Sequence, residues 1–329
     1  MARRHGRRLS ILSCLAVQLC VFAPAFAAVR TDPAEEAPPL CFLYRLPTSL
    51  RSYVADDVKL LVGWVFDAAV SGVALRSGVL ISAGSGFAEV PGFAAPTSLR
   101  ALLGIYEVLA PPFDEGHGYY GVALGALDDK RPVKAVILVN RLFRMPVALQ
   151  DPFGLATDIG TGGAMLIGVR TDAVRDAERA ADAAWQEADR RGVPLIIAGQ
   201  SLAGGFAQLQ VAHLQKTRPA GAPVGFLTMN AAYALPLIRQ SGFTGRDVAG
   251  VNFSKDFDPG VGPHAPFANR VGVQIYVHPD MSASLTPADV SLLSAMLHPT
   301  EHFLSSFNAV SLTQALASAI GPVAPPLCR

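Results

Sequence analysis

One stretch, Leu195-Ile196-Ile197-Ala198-Gly199-Gln200-Ser201-Leu202-Ala203-Gly204-Gly205, constrains the fold more than any other part of the chain. The unbroken apolar run before Gly199 marks a strand buried on both faces. Such a strand needs a neighbour on each side and cover above and below, so it belongs inside a sheet. From Leu202 to Lys216 the pattern is helical, with Leu202, Phe206, Leu209 and Ala212 on one side. Ser201 sits between, with Gly199 two residues before it and Ala203 two after. Only small residues fit where a buried strand turns sharply into a helix. That turn lifts the serine hydroxyl clear of the sheet. It also aims the Leu202 N–H, near the helix N-terminus, at negative charge developing beside the serine. Ser201 is therefore a candidate nucleophile. A structural or phosphate-holding glycine turn is the plainer reading of the same residues.

The flanking sequence alternates strands and helices. Tyr119–Leu127 and Val133–Val139 are β-rich runs joined by a turn-like Asp128-Asp129-Lys130-Arg131. Thr171 is placed to cap a helix that ends at Gly192 and Pro194. Val224–Met229, Val248–Phe253 and Val271–Val277 read as further strands, and Ala164–Val169 as another short apolar run. Met145–Gly163 reads as a loop, a place where a lid often lies. Two helices are expected near Pro287–Leu297 and His302–Ile320. The pattern predicts an α/β fold with a mostly parallel central sheet and helices on both faces.

Composition enters because the chain is apolar. Of its 329 residues, 51% are hydrophobic and 16% charged, against an ordinary charged fraction of about 25%. A membrane protein and a leader-bearing protein with a heavily buried sheet both explain this. Residues 1–27 read as a secretory signal: Arg3, Arg4, Arg7 and Arg8, an apolar run from Leu9 to Phe22, then Ala25-Phe26-Ala27. Val58–Leu75 is apolar nearly all round and suits a buried helix, with a lipid-surface helix as the alternative. Residues 28–40 form an acidic, Pro-rich linker, and 41–329 read as one domain. Without the leader, 23 basic residues face 26 acidic ones, which disfavours a nucleic-acid partner. Cys41 and Cys328 remain, and in an exported chain they are expected to pair. No zinc spacing, His-Glu-x-x-His or phosphate-loop ending occurs, so no cofactor or metal is expected.

The elbow resembles that of the class 3, fungal-type lipases and related diacylglycerol lipases of the α/β-hydrolase superfamily, whose motif reads Gly-His-Ser-Leu-Gly-Gly. Here Gly199-Gln200-Ser201-Leu202-Ala203-Gly204 takes its place, followed by Ala207-Gln208-Leu209. The resemblance covers roughly residues 118–310. It implies acyl-ester hydrolysis by a triad in the order Ser, Asp, His. In Val251-Asn252-Phe253-Ser254-Lys255-Asp256-Phe257-Asp258-Pro259, Asp256 fits the family spacing to Pro259, with Asp258 as runner-up and the other aspartate expected in solvent. His302, opening His302-Phe303-Leu304, is the implied base, with His298 next and His278 and His264 behind. Leu202 would supply one oxyanion donor. The second is where the chain departs from the family: its strand ends Val139-Asn140-Arg141-Leu142-Phe143 without a glycine. Asn140 is the candidate there, by backbone or side chain. The implied substrates are lipid or small esters, with transient contact at a membrane surface. A non-catalytic hydrolase-fold binding protein, or an exported peptidase or thioesterase on the same scaffold, are the other readings.

Overall fold

The Leu195–Ala198 run lies in the middle of a nine-stranded mixed sheet in this computed structural model. The structure describes residues 40–83, 97–128, 132–141, 152–258, 262–263, 268, 270–278, 280, 282–288, 307 and 310–320. The expected leader 1–27, linker residues 28–39, His264, His298, His302 and Cys328 fall outside them.

Three helices come first: α1 (Cys41–Tyr44), α2 (Thr48–Arg51) and α3 (Val54–Val70). Strands β1 (Leu80–Ser82) and β2 (Ile105–Val108) precede a hairpin of β3 (Gly121–Leu127) and β4 (Val133–Asn140). Helices α4 (Pro152–Leu166) and α5 (Asp172–Arg191) lead to β5 (Leu195–Gln200) and α6 (Leu202–Thr217). Then come β6 (Val224–Met229), α7 (Leu235–Gln240), β7 (Gly250–Lys255), β8 (Val273–Val277), β9 (Ala283–Ser284) and α8 (Leu312–Ile320). All belong to one compact unit, Ala37–Arg329. The sheet order follows the chain from β1 to β9. It is parallel from β4 to β8 and antiparallel at both edges.

Side-chain alternation divides the core. Ile196 and Ala198 join Trp64, Leu61 and the α8 residues Leu312 and Leu316 on one face. Leu195 and Ile197 join Trp185 of α5, Phe206 of α6 and Ile238 of α7 on the other. Every residue of β3, β5, β6 and β7 is buried, as a sheet covered on both faces requires. Helix α3 is the buried helix expected near Val58. Helix α5 is capped as expected: Thr171 Oγ1 accepts from the Val174 N–H at 3.3 Å, and Gly192 ends it at φ 66°.

Some local readings are corrected. Residues 152–166 are helical, so the expected loop ends earlier and the Ala164–Val169 run begins inside a helix. Gly160, Gly162 and Gly163 disguise that helix locally, and packing outweighs their low propensity. Strands β1, β2 and β9 were not foreseen; they are short and lie toward the sheet edges. Of the last expected helix, Leu312–Ile320 is helical, Val310 and Ser311 lie before its start, and residues 302–306 and 308–309 fall outside the described residues. Pro287 and Ala288 are not helical, and the rest of the Pro287–Leu297 helix lies outside the described residues. Among the described residues no helix is long and apolar enough to cross a membrane.

Candidate active site

Ser201 links β5 to α6 at φ 54°, ψ −125°. Among the described residues only Asn230 (φ 42°) shares its positive φ without being glycine. Such a conformation persists only when its surroundings over-determine it. Here the Ser201 N–H donates to Met229 O at 3.1 Å, while Ser201 O accepts from the Gly205 and Ala232 N–H groups at 3.1 and 2.8 Å. The small residues are explained by close approach. A Cβ on Gly199 would lie 2.4 Å from the backbone C and O of Ala203. One on Gly204 would lie 2.7 Å from Ala231 Cβ. Leu202 opens α6, so its N–H belongs to the first turn, where donors lack intrahelical partners. The elbow geometry expected from Gly199 to Gly205 is present.

Asn140 ends β4, parallel to β5 and on the same edge of the sheet as Ser201. Its side chain is fully buried and turned into a polar cluster. Oδ1 accepts from Tyr119 Oη at 2.7 Å, and Nδ2 donates to Gln210 Oε1 at 2.8 Å. Gln210 Nε2 in turn donates to Tyr119 Oη at 3.0 Å and Ala177 O at 2.7 Å. Burial pushes the Tyr119 phenol well above its ordinary range, so it stays a neutral donor. The Asn140 amide thus braces β4 against α5 and α6. Its side chain is therefore occupied, and its backbone N–H, on the β5 side of β4, belongs to the ladder that pairs Val139 with Ala198.

Both aspartates after β7 are buried, at 1% exposure each. The expectation that one of them is solvated fails, because the turn folds under the sheet edge: Gly262 N–H donates to Asp258 O at 3.1 Å. Asp256 Oδ1 accepts from the Ala288 N–H at 3.3 Å, and its Oδ2 lies 2.5 Å from His278 Nδ1. His278, ranked behind His302 and His298 from the sequence, is therefore the described histidine that meets this acid. His117 and His213 meet Asp176 and Asp182 instead, at 2.8 and 3.1 Å. The positions of His302, His298 and His264 lie outside the described residues.

A row of buried amides missed from the sequence connects the elbow to the acid turn. Asn230 N–H donates to Phe253 O, and Asn230 Oδ1 accepts from the Lys255 N–H, at 2.8 and 2.9 Å. Asn252 Oδ1 accepts from Thr228 Oγ1 at 2.9 Å and from the Ala231 N–H at 3.2 Å. The signal was there: an asparagine inside the apolar strand Val251–Phe253, and another at the end of Leu227–Met229, each requiring a partner when buried.

Helix α4 lies beside the elbow. Met165 Cε would be 2.8 Å from a Cβ on Gly205, and Leu202 Cδ1 would be 3.9 Å from one on Gly162. Arg141 ties this helix to the segment before β3, donating to Gly118 O at 2.8 Å and standing 3.7 Å from buried Asp158. Phe153, Ile159, Ile167 and Val169, on α4 and just past it, are exposed apolar side chains. Among the described residues no cluster of His, Cys, Asp and Glu is arranged to hold a metal ion.

The chain matches no protein-family model and no curated protein sequence. Among solved structures it is similar to lipase II from Rhizopus niveus, at 13% identity and TM-score 0.44, over 78% of this chain and 94% of that one. It is also similar to the native Rhizomucor miehei lipase–propeptide complex, at 11% identity and TM-score 0.44, over 86% and 89%. A lipase from Rhizopus microsporus var. chinensis follows at 12% identity and TM-score 0.39, over 83% and 96%. These neighbours are fungal lipases, the group that the elbow sequence resembles.

Proposed function

We propose that this chain is an exported serine hydrolase of carboxylic esters that works through an acyl-enzyme on Ser201. The observation that carries the reading is the backbone of Ser201, held at positive φ between a buried strand and the first turn of α6. A strained serine at that junction has its hydroxyl raised and first-turn N–H donors beside it.

In the proposed reaction Ser201 Oγ attacks the ester carbonyl while the base takes its proton. The oxyanion is held by the Leu202 N–H, with Asn140 at the end of β4 as the candidate for a second donor. The base returns the proton to the leaving alcohol. Water then attacks the acyl-enzyme and releases the acid and Ser201. Asp256 orients the base and stabilises its imidazolium form; Asp258, equally buried, is the alternative acid.

His302 is the base in this proposal. It is supported by the anchoring of the chain just beyond it. Phe307 is buried with its ring 5.5 Å from Lys255 Nζ, next to Asp256, and Lys59 Nζ donates to Phe307 O at 3.1 Å. His302 is five positions before Phe307 in the sequence, at most about 17 Å of chain. The exposed apolar residues around α4 favour acyl chains of some length over polar esters, and lipid esters over short ones.

Export is proposed from the leader pattern, and pairing of Cys41 with Cys328 from the same compartment argument. Cys41 is disulfide-bonded. One observation favours a second reading, a non-catalytic hydrolase-fold binder. The Asn140 side chain is occupied, and an oxyanion hole short of one donor loses about 10²–10³ in turnover.

Labelling the mature protein with a fluorophosphonate, beside Ser201→Ala, separates the two. An adduct that depends on Ser201, with ester hydrolysis abolished by Ser201→Ala, is expected. No adduct on the folded protein sinks the enzyme reading. Asp256→Asn and Asp258→Asn in parallel assign the acid; loss in the second alone reverses the choice.

A further inference from the structure

The strand order separates His278 from Ser201. Ser201, Asp256 and His278 follow β5, β7 and β8, and β6 lies between the first two. With strands about 4.8 Å apart, the tip of β7 stands about 10 Å from that of β5, and the tip of β8 about 14 Å. An imidazole bridging a hydroxyl and a carboxylate spans about 7–8 Å, counting a hydrogen bond at each nitrogen. The gap above β6 suits that bridge, and His278 approaches Asp256 from the opposite side.

Hydrogen bonding at His278 leads to the same place. Nδ1 lies 2.5 Å from Asp256 Oδ2, and Nε2 lies 2.9 Å from Ser284 Oγ. Ser284 Oγ also stands 2.6 Å from the carbonyl oxygen of Thr286, which can only accept. The one hydroxyl proton of Ser284 goes to that carbonyl, and its oxygen accepts from the Thr286 N–H at 3.2 Å. Nε2 of His278 is thus engaged by Ser284 Oγ. A nitrogen held by Ser284 is not the one that faces Ser201.

We infer that His278 is a positioning residue: it clamps the carboxylate of Asp256 through Nδ1, is itself braced by Ser284, and leaves the catalytic imidazole to enter from the side of Ser201. This rests on the hydrolase reading of Ser201 and Asp256. A carboxylate offers about four lone-pair sites. His278 and the Ala288 N–H take two of those on Asp256, which leaves room for a second imidazole.

The test compares His278→Asn with His278→Gln in the full mature chain. The asparagine amide falls near the place of Nδ1 and still donates to Asp256. The glutamine amide falls near Nε2 and leaves Asp256 without that donor. With a p-nitrophenyl ester, His278→Gln should lower kcat by about 10–100-fold at nearly constant KM, as a misplaced catalytic group does. Fluorophosphonate labelling of Ser201 should slow in step, and His278→Asn should recover kcat to within about threefold of wild type. Unchanged kcat in His278→Gln overturns the clamp. A loss of about 10⁴-fold in both variants, with labelling abolished, makes His278 the base and overturns it too. If His278→Gln fails to fold, Ser284→Ala carries the test: a kcat drop at constant KM supports the clamp, and unchanged kcat overturns it. Failure of the hydrolase reading shows separately, as wild-type protein that takes no Ser201-dependent label.

Discussion

Ser201 occupies a conformation that costs about 1–3 kcal/mol for a residue bearing a side chain. The glycine before it must be matched to that geometry. Gly199→Ala would drive a methyl into the Ala203 backbone, where no side chain can yield. We expect it to lower the unfolding free energy by about 2–4 kcal/mol in urea titration, with ester hydrolysis lost beyond the loss of folded protein. Gly163→Ala is the contrast: its methyl meets nothing within 4 Å and lies in a helix. It should stabilise by about 0.5–1 kcal/mol, and a destabilisation of that size would contradict the helical packing described for α4. Ser201 was legible in the sequence because the elbow is local: its requirements fall within the ten residues from Ile196 to Gly205. The Asp256–His278 pair was not. Its members are 22 positions apart, just past the ends of neighbouring strands, and neither has a local signature that names the other.

At the scale of elements, α3 does more than fill space. Asp56 Oδ1 accepts from the Leu312 N–H at 2.7 Å, and Oδ2 accepts from Ser311 Oγ at 2.9 Å. An anion thus sits at the N-terminus of α8, where the helix dipole favours it. One turn along, Lys59 Nζ donates to Phe307 O and Val310 O at 3.1 Å each. Asp56→Ala should cost about 1–2 kcal/mol, the worth of a helix cap with a favourable charge. Guanidinium unfolding would show it, and a change below about 0.3 kcal/mol would mean that the cap is idle. Helix α5 was legible to the residue at both ends because its cap and its terminal glycine are sequence-local. Helix α4 was hidden because its glycines look like loop, and the contacts with α6 that justify them are long-range. Lys59 reads as an interruption in an apolar helix; its partners, like those of Asp56, lie about 250 residues away.

For the whole molecule, the apolar composition resolves into a sheet covered on both faces, and the cost of its few buried charges becomes measurable. Asp57 is buried on α3, and desolvation raises its pKa above 3.8 despite bonds from the Leu103 and Gly104 N–H groups and Tyr106 Oη. The folded state therefore keeps this proton to higher pH than the unfolded chain. Stability from Asp57 is full below about 3.8 and falls as pH rises through the raised value. The unfolding free energy of wild type minus that of Asp57→Asn should decrease from pH 4 toward pH 7. Urea titrations at both ends check the sign, and an increase would show that the hydrogen bonds outweigh the burial.

The grip of α3 on residues 307–313 also sets an order of events. Helix α3 holds half-buried Asp56 and buried Lys59 against partners about 250 residues farther along the chain. Until Phe307, Val310 and Leu312 arrive, Lys59 and Asp56 lack these partners, and the core on their side of the sheet stays open. Contacts of such sequence separation form slowly. A chain emerging from its N-terminus therefore stays loose on that face until those residues are made.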